Sequence, residues 1–109
     1  MNKEEAIKKI DDMTNILAVS IPDEVEIEGK VYRIKDDILN GDRDEMISKY
    51  QGLYQRIREK IMLMNDVPED LVYDALILRR AVIFLREYRV SDDIEDKKRW
   101  LEYLKRVRQ

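Results

Sequence analysis

The sequence predicts a mainly α-helical domain of four helices, with a small β-hairpin between the first and the second. Three observations predict it. Only three Gly and two Pro punctuate 109 residues, so few positions favour a turn or a break. Apolar residues recur at spacings of three and four along most of the chain, the period of a helix with one buried face. One short stretch, residues 25–34, alternates with period two instead, as a half-buried strand pair does. Hydrophobic residues make up 44% of the chain, enough for one core in a single domain over residues 1–109.

The first helix is expected over residues 3–19. Asn2 with Glu5 three positions on forms a capping box. Ala6, Ile10, Met13 and Leu17 follow at 4-3-4 spacing. Ile21-Pro22 ends the run, because a residue before proline is pushed towards extended backbone. The hairpin is expected over residues 24–34. A two-residue turn at Glu28-Gly29 places Ile27 opposite Lys30, Val25 opposite Tyr32 and Glu24 opposite Arg33. Val25, Ile27, Tyr32 and Ile34 then share one face, which must pack on helices, since an isolated hairpin is marginal in water.

Asp36–Leu39 reads as a helical turn stopping at Asn40-Gly41. Asp42 and Glu45 repeat the capping pattern. Met46, Tyr50, Leu53, Ile57, Ile61 and Met64 then give a second long helix over 43–64. Asn65-Asp66-Val67-Pro68 breaks it. Pro68, followed by Glu69 and Asp70, opens a third helix over 68–89, where proline fits the first turn and acids suit the dipole. That helix is apolar on nearly every side, so it is either central or it offers one side to a partner. Ser91, with Asp92 and Asp93 behind it, caps a fourth helix over 92–108. Its stripe is Ile94, Trp100, Leu101, Leu104 and Val107, and Trp100 is expected to be buried.

Composition excludes several chemistries. The chain has no Cys and no His, which removes disulfides, Cys/His zinc sites, Cys–His pairs and Ser–His–Asp triads. Hydroxyl nucleophiles are scarce: Ser occurs at 20, 48 and 91, and Thr only at 14. The acid pairs Asp42/Glu45, Asp92/Glu95 and Asp93/Asp96 fall at helix starts, where capping explains them better than a carboxylate Mg²⁺ site would. No catalytic residue, metal site or cofactor is expected. No apolar run approaches about 18 residues, so no membrane span is expected. The N-terminus is unlike a secretory leader, and a cytoplasmic location is expected.

Charge is uneven. Residues 1–75 hold 11 basic and 18 acidic residues, whereas residues 76–109 hold 10 and 6. Arg79 and Arg86 lie seven apart on one line of the third helix, without an acid four residues away on it. They need partners elsewhere: Asp11, Asp12, Asp36 or Asp37, or an external anion. Two functional readings follow. In the first, Val72, Leu76 and Ile83, bordered by Arg79 and Arg86, form a mixed apolar–arginine surface for another protein or for a second copy in a homodimer. In the second, Arg79, Arg80, Arg86 and Arg89 meet nucleic-acid phosphates; the net charge of −3 disfavours it. A helical Mg²⁺ hydrolase ranks third.

Two stretches carry a family resemblance. Residues 21–29, Ile-Pro-Asp-Glu-Val-Glu-Ile-Glu-Gly, enter the hairpin. Residues 96–105, Asp-Lys-Lys-Arg-Trp-Leu-Glu-Tyr-Leu-Lys, run from a basic cluster into a Trp-Leu helix. Together they resemble an uncharacterised family of small archaeal proteins. The resemblance implies a helical domain of that family and supplies no activity or site residue.

Overall fold

A computed structural model describes residues 1–16 and 21–89, together with 95, 96, 98, 99 and 102. Among the described residues the order is α1 (Lys3–Ile16), β1 (Val25–Ile27), β2 (Lys30–Tyr32), α2 (Ile34–Asn40), α3 (Arg43–Met62) and α4 (Glu69–Ile83), closed by a π-helical turn over Phe84–Tyr88. The fold is therefore mainly helical, with a hairpin between the first two helices. The fourth helix expected over 92–108, with Trp100 and its stripe, lies outside the described residues apart from helical positions 95, 96, 98, 99 and 102.

Local chemistry sets each start. The Glu5 amide donates to Asn2 Oδ1 at 2.8 Å, and Asn2 Nδ2 donates back to Glu5 Oε1 at 3.2 Å. At α3 the Glu45 amide donates to Asp42 Oδ1 at 2.9 Å. Both close the capping geometry their sequences predict. The hairpin pairs Val25 with Tyr32 and Ile27 with Lys30. Its turn residues have φ of 53° at Glu28 and 81° at Gly29. Two successive positive values twist the ribbon in the sense that matches its strands, and Gly29 supplies the second without steric cost.

The expected end of the first helix, 17–19, lies outside the described residues, and α3 ends at Met62 rather than at 64; two other elements differ more. Ile34, expected as the last hairpin residue, opens α2 instead, and α2 runs to Asn40 rather than covering a single turn at 36–39. Ile34, Ile38 and Leu39 are buried, an i, i+4, i+5 face that three residues of strand would not supply. The third expected helix does continue to residue 88, but its last turn is π-helical. There the Arg89 amide donates to the Phe84 carbonyl at 2.9 Å, five residues back. Arg43, at the start of α3, stabilises this end: Nε donates to the Leu85 carbonyl at 2.8 Å and Nη2 to the Arg86 carbonyl at 3.1 Å. Those carbonyls lie at a helix end, where intrahelical donors run out.

The core is centred on α4. Val72, Ala75, Leu76, Ile77, Leu78, Ala81 and Val82 are all buried, and α1 and α3 both pack against it. From α3 come Met46, Tyr50, Leu53, Tyr54, Ile57 and Ile61. From α1 come Ala6 and Ile10. The chain start is pinned beside the entry to α4: the Met1 amino group meets Asp66 at 3.1 Å, and the Val67 amide donates to the Met1 carbonyl at 2.7 Å. Lys9 then reaches Glu69 at 3.3 Å, so α1 runs alongside α4 in the same direction.

Candidate interaction surface

The side of α4 expected to face a partner is covered. Val72 and Leu76 are each 1% exposed. Their placement on an open surface is therefore corrected, and the reason is α1. Met13 and Lys9 of α1 lie over Val72, Tyr73 and Leu76, leaving a shallow recess of about 240 Å³. A helix apolar all round is here the central one, and a neighbour in the same chain takes up its extra side. Ile83 is half-buried and Arg86 is exposed.

The arginines separate in the same way. Arg80 is 8% exposed and Arg89 is 5% exposed, so their expected availability to phosphates is corrected as well. Arg79 lies over the Tyr54 ring, its Cζ 5.8 Å from the centroid, a cation–π contact. Neither Arg79 nor Arg86 meets a carboxylate among the described residues. Three of the acids proposed as their partners are engaged otherwise: Asp36 accepts from Asn40 at 2.8 Å, Asp11 is held by Arg58, and Asp37 by Lys49 and Tyr50. Asp11 is forked by Arg58 at 2.9 and 3.4 Å, and Arg58 also donates to the Tyr54 hydroxyl at 2.9 Å. That hydrogen bond from Arg58 to Asp11 raises the pKa of its guanidinium further.

Asp37 belongs to a clamp between α2, α3 and the hairpin. The Tyr50 hydroxyl donates to its carboxylate at 2.5 Å and Lys49 Nζ at 2.7 Å. The Lys49 ammonium sits 5.4 Å from the centroids of both Tyr32 and Tyr50, whose rings meet edge to face at 6.4 Å. Burial works to raise the Asp37 carboxyl, but the hydrogen bonds from Lys49 and Tyr50, with the charges of Lys49 and Arg33, hold it below its ordinary value. Burial, then the hydrogen bond to Asp37 and its charge, pushes the Tyr50 phenol well above its own. A phenol so poised is a donor locked in place, not a base. The cluster therefore reads as a structural lock on the hairpin.

The open surface lies on the other side of α1. Lys3, Glu4, Ile7, Lys8, Asp11 and Asp12, with Met62 at the end of α3, line a groove of about 450 Å³. Met62 is 51% exposed and the next residue, Leu63, is 89% exposed. Ile7 is half-buried and packs on the core edge. Lys3, Glu4, Lys8 and Asp12 make no ion pair among the described residues. Sequence reasoning missed this face. The available signal was a surplus: Ile7 lies off the Ala6–Ile10–Met13 stripe, and Met62-Leu63 add two apolar residues to a stripe that Ile61 and Met64 already complete.

Among the described residues, no group of three or more acids could hold a metal ion, and no helix is long and apolar enough to cross a membrane. Compared with known proteins, the chain matches no family model, no curated protein and no solved structure.

Proposed function

We propose that this chain is a non-enzymatic helical interaction module that associates with itself, and that its contact surface is the outer side of α1 with the end of α3. The observation that carries this reading is the exposure of Leu63 and Met62, 89% and 51%, beside the groove under Ile7. Met62 lines that groove with Ile7 and Leu63 follows it in the chain, and exposed apolar side chains of this kind form a patch that association would cover. Scarce hydroxyls and the absence of Cys and His support a role without catalysis. The nucleic-acid reading loses support, because burial withdraws Arg80 and Arg89 and Tyr54 engages Arg79.

Sedimentation of the wild type and of a Met62→Asp, Leu63→Asp variant tests the reading. The wild type is expected to show a monomer–dimer equilibrium across the micromolar range. The variant is expected to stay monomeric and folded by circular dichroism, with a melting temperature equal to that of the wild type at concentrations where the wild type is monomeric, since both side chains are exposed. A wild type that is monomeric at every concentration would overturn the proposal, as would a variant that dimerises equally well.

A further inference from the structure

Resting on that reading, the charge order along α1 points to how two copies meet: we propose an antiparallel α1–α1 pairing about a twofold axis through Ile7. A partner that fits this face must answer its charges, and the face answers itself. Lys3 and Asp11 lie four residues on either side of Ile7, each about 6 Å along the helix at 1.5 Å per residue. A second α1 running the opposite way brings Ile7 against Ile7, with Lys3 of each copy facing Asp11 of the other. Glu4 and Lys8 are centred on residue 6, one residue from that axis, so Glu4 of each copy lies about 3 Å along the helix from Lys8 of the other, within reach of the two long side chains.

Each contact occurs twice, as an isologous interface requires. In a parallel arrangement the same residues would meet their own kind, Lys3 on Lys3 and Glu4 on Glu4, so charge selects the antiparallel sense. Three of the four charged side chains in these contacts, Lys3, Glu4 and Lys8, have no ion-pair partner among the described residues. Asp11 has Arg58 at 2.9 Å, and its side chain is 56% exposed, so a second cation can approach it. Met62 lines the same groove as Ile7 and so lies next to the seam, with Leu63 following it in the chain.

Charge-reversal variants test the register. Glu4→Lys alone sets two lysines against each other twice per dimer, and Lys8→Glu alone does the same with two glutamates. Each is expected to weaken homodimerisation by about tenfold or more, with the fold retained because both positions are exposed. Mixing the two variants is the decisive arm. In the mixed pair every reversed charge meets an opposite one, so the heterodimer should form at wild-type affinity. The double variant Glu4→Lys, Lys8→Glu should dimerise like the wild type. If the wild type dimerises and neither single reversal weakens it, the twofold arrangement is wrong while the interaction-module reading stands. Weakening without recovery in the mixture also overturns it, since an unrelated partner surface would give that pattern. A monomeric wild type overturns both.

Discussion

Replacing Tyr50 with Phe isolates one hydrogen bond at the centre of the fold. Tyr50 is fully buried, and its hydroxyl donates to Asp37 at 2.5 Å. The substitution keeps the ring, its volume and its edge-to-face contact with Tyr32. Only the hydroxyl goes. A hydrogen bond to a charged acceptor contributes about 1.5–3 kcal/mol. Asp37 keeps Lys49 at 2.7 Å and has 25% of its side chain exposed, so water and the ammonium soften the loss. A cost of about 1.5–2 kcal/mol is expected at pH 7, and a fall in Tm on the order of 5–10 °C. Urea unfolding should show a lower midpoint at unchanged slope.

The pH dependence carries the sharper check. The folded Asp37 pKa is lowered, so its contribution is present above the unfolded carboxylate pKa and is lost as pH falls through the folded one. Removing the phenol donor brings that pKa back towards its ordinary value. The stability gap between wild type and variant should therefore narrow below about pH 4. A cost under about 0.5 kcal/mol at neutral pH, or a gap that stays constant into acid, would refute the lock.

Two further predictions concern α4. Leu76→Ala should cost about 2–5 kcal/mol, the range for a buried leucine. Leu76→Glu should leave the chain unfolded by circular dichroism, whereas a folded Glu variant would place Leu76 outside the core. Asp74 has a raised pKa, from burial first and then the nearby Asp70 charge. A raised folded value means that its contribution is present at low pH and lost as pH rises through that value. Asp74→Asn should therefore stabilise the protein at pH 7 and give no gain in acid; equal or lower stability at pH 7 counts against it.

What was legible in the sequence was short-range. The capping pairs Asn2/Glu5 and Asp42/Glu45 are set by residues three apart, and the hairpin register by its two-residue turn, so neighbours in the chain suffice to define them. The stripe Met46, Tyr50, Leu53, Ile57 and Ile61 points inward as its period requires. The extent of α2 was also written locally, in Ile34, Ile38 and Leu39, but period-two alternation up to Ile34 masked it. The π-helical turn was not legible. Its carbonyls are held by Arg43, 42 residues before Leu85, and no local propensity announces a donor at that distance.

The candidate surface fails to read from sequence for a related reason. A helical wheel shows how much of α4 is apolar, but not which neighbour covers each side. Val72 and Leu76 read as surplus on that wheel because α1 is a separate helix, tied to α4 through Met1, Asp66 and Lys9–Glu69. Once α1 takes that side, the question moves to α1 itself. Its inner stripe is used by α4, and on its outer side Asp11 is tied to Arg58 of α3, whereas Glu4 and Lys8 make no ion pair among the described residues. Glu4 and Lys8 then become informative, because exposed charges that make no ion pair among the described residues are available to select a partner. Their order along the helix, acid before base and centred one residue from Ile7, is self-complementary only when the second helix runs the other way. Specificity of that kind resides in pairwise signs rather than in area. That is why reversing one sign should break the pairing, and reversing its mate in a second copy should restore it.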